Sequence, residues 1–316
     1  MGHSRASRSS ILVCASFLAG LLTSYGVFGQ PPASAAETPV VRADRDADSH
    51  EAGGRLDTAA LMEQVNPRDG YRLGVEYGTL GPRLVAAGVI DAAAFIALYE
   101  RAGAPLSSLQ LRALERGSDE EIVITPENAY FLLNYFWAVG LANANSILTE
   151  GAMVEQSGGR IDRFASTGGW SISTKPVTEI YSSLDLIELT AEQQARVEEV
   201  ASAVYRPCCG NSTLLPDCNH GMAMLGVLEL MASEDASTDE MFRAAKYINA
   251  FWFPQQALES AIYLEAVQGI DFAEADARMV VGPSFASGAG SASIHRELQV
   301  SGLLPRETAQ GGNCAN

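Results

Sequence analysis

The sequence predicts an all-α fold: a single compact multi-helix domain with a central apolar helix and a cysteine-rich interhelical loop. Three observations carry this expectation. Helix start and stop signals recur from Leu56 onward, enough for about nine helices. Alternating strand patterns are nearly absent. The stretch Tyr130–Leu141 is apolar on almost every face, which marks a helix buried all round.

Residues 1–35 read as an export signal. Arg5 and Arg8 make a positive start, Ile11–Phe28 is apolar, and Ala33-Ser34-Ala35 offers an A-x-A cleavage site. Cleavage leaves no integral membrane span and a periplasmic or extracellular protein; left uncleaved, the segment is an N-terminal membrane anchor. Residues 36–54 are rich in Pro, Ala and Asp, lack apolar periodicity, and read as a disordered linker. The helical domain is expected over 55–305. A flexible Gly-rich tail, 306–316, carries Cys314.

Within the domain, Asp57 or Thr58 caps a short helix through Leu61 and Val65, ended by Pro67 and Gly70. Gly74 to Gly81 reads as irregular. Pro82 at a first helical position opens a short helix closed by Gly88. Asp91 caps a helix with Phe95, Leu98 and Tyr99 on one face, and Ser107 or Ser108 starts another. Glu121-Ile122-Val123-Ile124 has strand character but no partner, so it is expected to be an extended link. Thr125-Pro126-Glu127 offers an N-cap, a first-position Pro and an acid for the central helix. Asn134 in that helix is expected to be a satisfied core hydrogen-bonder. Ser166-Thr167-Gly168-Gly169 is a structural turn that packs on the cysteine segment or lines a pocket.

Thr190 and Gln193 form a capping box opening a helix that Pro207 stops. After the cysteines, Asp217 or Asn219 caps a helix through Met222, Leu225 and Leu228. Ser237–Glu240 is a second capping box, and Pro254 ends its helix. One more helix runs from Gln255 to Val267, with a short helical turn in Asp271–Val281. Ser284–Ser293 is Gly- and Ser-rich.

Charge and motifs narrow the function. A net charge of −17 argues against nucleic-acid binding, which needs Lys and Arg to displace counterions. Phosphate-loop spacings, the G-x-S-x-G elbow, C-x-x-C and C-x-x-C-H are all absent. Cys14 lies in the signal. The remaining cysteines are Cys208, Cys209, Cys218 and Cys314, and the first three fall in a C-C-x8-C-x-H stretch that ends at His220.

Three readings stay open. Thiolates with an imidazole suit a soft metal ion, copper or zinc, held by Cys208, Cys209, Cys218 and His220, with Cys314 as tail ligand or disulfide partner. Met222 and Met224 lie at helical spacing from Cys218 and His220; they either add thioethers to that surface or belong to the core. The second reading is a thiol–disulfide oxidoreductase acting on a protein partner. A cysteine at a helix N-terminus gains thiolate character, and Cys218 has that placement. The third is a structural protein stapled by two disulfides, for example Cys209–Cys218 and Cys208–Cys314. Asp217 is placed to orient His220, and His295 is expected at the surface.

Several of these stretches resemble a family of bacterial exported or membrane-tethered proteins. They are Asn134, Trp137–Asn143, the A-S-T-G-G-W run Ala165–Trp170, Asn249–Pro254 with its W-F-P, and the Gly-rich tail with Cys314. The run Tyr205–Gly226 matches the pattern Y-R-P-C-C-x-N-x-T-x-x-P-D-C-N-H-G-M-A-M-L-G. The resemblance spans residues 75–316 and implies export, without implying an activity. A shorter stretch, which includes Cys208–Glu240, is similar to the thiol–disulfide subunit of cytochrome c maturation. Cys208-Cys209, Asn211-Ser212 and Ser237-Thr238-Asp239-Glu240 carry that resemblance, with C-C in place of C-x-x-C, and it implies the oxidoreductase reading.

Overall fold

Asp57, Asp91, Ser107, Thr190 and Ser237 each accept a backbone N–H at a helix start, and the last three close full capping boxes. The helices they open are α1 (Thr58–Val65), α3 (Ala92–Arg101), α4 (Ser108–Glu115), α6 (Ala191–Ala203) and α8 (Thr238–Trp252). The others of seven or more residues are α2 (Leu80–Ala86), α5 (Ala129–Ala142), α7 (Asn219–Ser233), α9 (Pro254–Tyr263) and α10 (Gly288–Val300). They are seen in a computed structural model that describes residues 56–304. The expected signal, linker and Cys314 tail lie outside the described residues. The all-α class holds, with one small sheet added.

The centre is the pair α5 and α7. Every residue of α5 except Tyr130 is buried, as its all-round apolar sequence requires. Asn134 is satisfied there, donating to the Tyr99 hydroxyl (2.9 Å). The two helices meet at Gly140 and Gly226. A Cβ on Gly226 would sit 2.7 Å from the Phe136 carbonyl, and one on Gly140 would overlap the Met222 carbonyl. Only bare Cα atoms allow backbones this close. The crossing fixes α7, whose N-terminus carries the cysteine segment. A second hydrophobic cluster joins α1, α9 and α10 around Leu61, Val65, Ile262, Phe272 and Leu298.

Four expectations need correction. Gly74 to Gly81, predicted to be irregular, instead completes a strand, β1 (Tyr71–Gly78), and begins α2. The strand pairs antiparallel with β2 (Ser118–Ile124), which absorbs the supposed link Glu121–Ile124. Leu73, Val75 and Tyr77 point inward while Arg72, Gly74 and Glu76 point out. The run does alternate, but Gly74 and Gly78 fill two of its non-core positions, adopt positive φ and lie where the register shifts, so they read as breakers.

The central helix begins at Ala129, because Thr125-Pro126-Glu127 is held as a turn. Asn128 accepts the Thr125 N–H (2.8 Å) and donates to the Val123 carbonyl (2.8 Å). Pro82 is the third residue of α2 rather than its first. The Gly/Ser-rich stretch after Ser287 is helical, as α10. Ser287 caps it, and Gly290 packs on the Pro283–Ser284 backbone without a side chain in the way. No helix among the described residues is long and apolar enough to cross a membrane.

Candidate metal centre

The chain leaves α6 at Val204 and folds into a tight loop before α7. Tyr205 bridges to Ser212, and Thr213 donates its N–H (2.9 Å) and its hydroxyl (3.0 Å) to the Val204 carbonyl. Four surrounding elements hold this loop. Ser166 donates its N–H to the Asp217 carbonyl (3.0 Å), so the Ser166–Gly169 turn does pack on the cysteine segment. Trp137 of α5 fixes that turn from below through the Ser166 carbonyl (2.7 Å). Asn249 of α8 donates to the Tyr205 carbonyl (2.8 Å), and Gly288, opening α10, donates its N–H to the Cys209 carbonyl (2.7 Å).

The loop brings three sulfurs together. Cys208 and Cys209 Sγ are 3.3 Å apart, Cys209 and Cys218 are 3.3 Å apart, and Cys208 and Cys218 are 3.6 Å apart. These separations exceed a disulfide bond of about 2.05 Å, and the three are free thiols, with Cys208 exposed and the other two half-buried. Their ligand atoms lie within 4.8 Å of one another, close enough to hold one metal ion.

The N-cap of α7 is Cys218 itself, between the expected Asp217 and Asn219. Its sulfur accepts the Gly221 N–H (3.4 Å) at the positive end of the helix. It also accepts Nε–H of Arg206 at 3.1 Å. The Arg206 side chain is 1 % exposed. Its remaining donors reach the Asn211 carbonyl and side chain, the Leu215 carbonyl and the Asp217 carboxylate (2.8–3.3 Å). Asn211 donates to the second Asp217 oxygen (2.9 Å).

The sulfurs titrate as one group. The Cys218 thiol is pulled well below its ordinary range, first by contacts from Cys208 and then Cys209, with His220 and Arg206 adding to them against burial. Cys208 is pushed up, chiefly by its contacts with Cys209 and Cys218. Cys209 is pushed up to about 12: contact with Cys208 pulls it down, but contact with Cys218 and burial outweigh that. Arg206 keeps its charge because the cysteine sulfurs outweigh its burial.

The other expected ligands fall apart from the three thiols. His220 lies beside them, with Nδ1 3.9 Å from Cys208 Sγ and its ring packed on Phe253 (centroids 4.4 Å) and Trp252 (5.9 Å). Met222 and Met224 are core residues, so they add no thioethers to the surface. Asp217 serves Arg206 and Asn211 instead of orienting His220. His295 is half-buried against Glu259 (3.0 Å), away from the thiols. Cys314 lies outside the described residues.

Arg206 and Asn211 are the site residues that motif reading missed. A Gly at the third position of α7, beside an Asn/Asp pair in the loop, is the signal that a large side chain must lie there. No family model, curated protein or solved structure matches the chain.

Proposed function

We propose that this is an exported protein whose cysteine loop binds a soft metal ion, copper(I) or zinc. The observation that supports it most is the convergence of Cys208, Cys209 and Cys218 sulfurs at 3.3–3.6 Å. Soft thiolates select such ions. With metal–sulfur bonds of about 2.3 Å, a tetrahedral ion asks for sulfur–sulfur edges of about 3.8 Å, a few tenths beyond those present. His220 supplies a fourth ligand if its ring leaves Phe253, and Cys314 supplies one if the tail folds back. The bound ion would displace the thiol protons and hold all three sulfurs as thiolates. Arg206 and the start of α7 anchor the Cys218 corner.

Elemental analysis of natively exported protein, with a thiol count under denaturing, non-reducing conditions, tests this. One equivalent of copper or zinc with free thiols is the expected result, and Cys218→Ser should abolish it. Absence of both metal and free thiols would sink it.

The oxidoreductase reading has one observation of its own. Cys218 is a thiolate-favouring helix cap with Cys209 sulfur 3.3 Å away. It requires rapid alkylation of a single cysteine in the native, metal-free protein and exchange with a protein partner.

A further inference from the structure

Resting on the thiol-centre reading above, we infer that the Cys208/Cys209/Cys218 triad also captures trivalent, lone-pair-bearing metalloids offered as neutral oxyacids, arsenous acid above all. The first argument is the size of the triangle, with edges of 3.3, 3.3 and 3.6 Å. At element–sulfur bonds of about 2.3 Å these edges subtend about 92° to 103° at a shared centre, short of the tetrahedral value of about 109°. A pyramidal centre whose fourth direction holds a lone pair takes such compressed angles. Zinc has to spread the sulfurs, and adjacency of Cys208 and Cys209 resists that.

The second argument is the count of donors. Among the described residues, the three cysteine sulfurs are the ligand atoms that converge. His220 Nδ1 is 3.9 Å from Cys208 Sγ, and its ring lies on Phe253, outside the cluster of three sulfurs. Met222 and Met224 face the core, and Asp217 is held by Arg206 and Asn211. A pyramidal metalloid needs three donors and no fourth.

The third argument is charge. Three thiolates around a divalent ion leave a net −1 centre in a chain already at −17. Three covalent bonds from sulfur to a trivalent metalloid leave a neutral one. The incoming oxyacid is itself uncharged, and exposed Cys208 gives it a way in.

The step balances without an oxidant. Three As–O and three S–H bonds break, three As–S and three O–H bonds form, three waters leave, and arsenic stays trivalent. Cys218, held by the Gly221 N–H and by Arg206 Nε–H, is the fixed corner on which the other two sulfurs close.

The test uses sodium arsenite on the reduced full-length protein, with intact mass and a count of alkylatable thiols. The expected adduct carries one arsenic in place of three hydrogens and protects three of the five cysteines. Cys208→Ser and Cys209→Ser should each leave an adduct that keeps one arsenic-bound hydroxyl, and weaken arsenite on the order of 100-fold through the lost third attachment. Cys314→Ser should change nothing. A wild-type adduct that retains a hydroxyl, or undiminished binding by Cys208→Ser, overturns the inference, and the wild-type stoichiometry decides even if a variant fails to fold. Uptake of zinc or copper(I) without arsenite overturns it and leaves the soft-metal reading standing. Uptake of none of the three overturns both.

Discussion

Arg206 is the residue on which the cysteine loop closes. Its guanidinium is stripped of water, yet each of its three nitrogens donates to an acceptor, among them the Cys218 sulfur, two carbonyls, the Asn211 side chain and the Asp217 carboxylate. Space for it exists because Gly221 has no side chain; a Cβ there would lie 2.6 Å from the Arg206 Cζ. Lysine cannot reproduce this fork, being a point charge on a flexible stem. Arg206→Lys should therefore cost roughly 2 kcal/mol and Arg206→Met roughly 3, since removing one member of a buried charge pair strands the other. Urea unfolding measures both. Bound metal should be released on the order of 10-fold more readily from Arg206→Lys, because a neighbour that orients a ligand has been disturbed. Equal stability for all three proteins would mean that the loop closes without the guanidinium. The thiols were legible from their spacing alone. Arg206 was not, because an arginine is ordinarily a solvated residue and only the fold shows which carbonyls converge on it.

At the scale of elements, the cysteine loop is only as well placed as α7, and α7 is placed by its crossing with α5. Each helix spends a glycine there. A mid-helix glycine costs about 1 kcal/mol relative to alanine, so on propensity Gly226→Ala should stabilise the protein. The crossing reverses the sign. The new Cβ would lie 2.7 Å from the Phe136 carbonyl and 2.8 Å from Gly140 N, both backbone atoms that cannot swing aside. Overpacking of this kind costs about 1–3 kcal/mol; set against the propensity gain, a net loss of about 1 kcal/mol is expected, read as a lower urea midpoint at unchanged slope. A neutral or stabilising result would show that the helices part without penalty. The same crossing explains part of what sequence reading caught. The burial of α5 followed from its all-round apolarity, and α6 and α8 from their capping boxes, because those signals are local. The pairing of β1 with β2 is not local: Arg72 bonds Glu121 across three intervening helices, and Gly74 and Gly78 read as breakers within an otherwise alternating run. Helix α10 was missed for the opposite reason. Its stretch reads only as Gly- and Ser-rich, and the glycines are there to let Gly288 meet the Cys209 carbonyl and Gly290 meet the Pro283–Ser284 backbone.

For the whole molecule, the group that ties stability to pH lies outside the cysteine loop. Glu229 of α7 is fully buried between α5 and α6 and accepts from Asn145 Nδ2 (2.7 Å), while its second oxygen has no partner. Burial pushes its pKa up to about 8 from the ordinary 4.5, with Asn143 and Asn145 pulling weakly the other way. The folded protein thus holds a proton that the unfolded chain has already released. Stability from this group is complete below pH 4.5, and declines with rising pH until the folded carboxyl ionises near pH 8. At about 1.4 kcal/mol per pH unit the loss across that window is on the order of 5 kcal/mol. Exposed carboxylates such as Asp235 and Glu240, held below their ordinary range by neighbouring hydrogen bonds, act in the opposite sense and only at more acid pH. Urea unfolding at successive pH values from 5 to 8 should show wild-type stability falling, and Glu229→Gln, which keeps the shape of the protonated acid, should flatten the slope. The variant should therefore match wild type near pH 5 and exceed it near pH 8. Parallel curves for the two proteins would mean that Glu229 ionises in the fold at its ordinary pH, and that its buried oxygens find partners that the hydrogen bond from Asn145 alone does not provide.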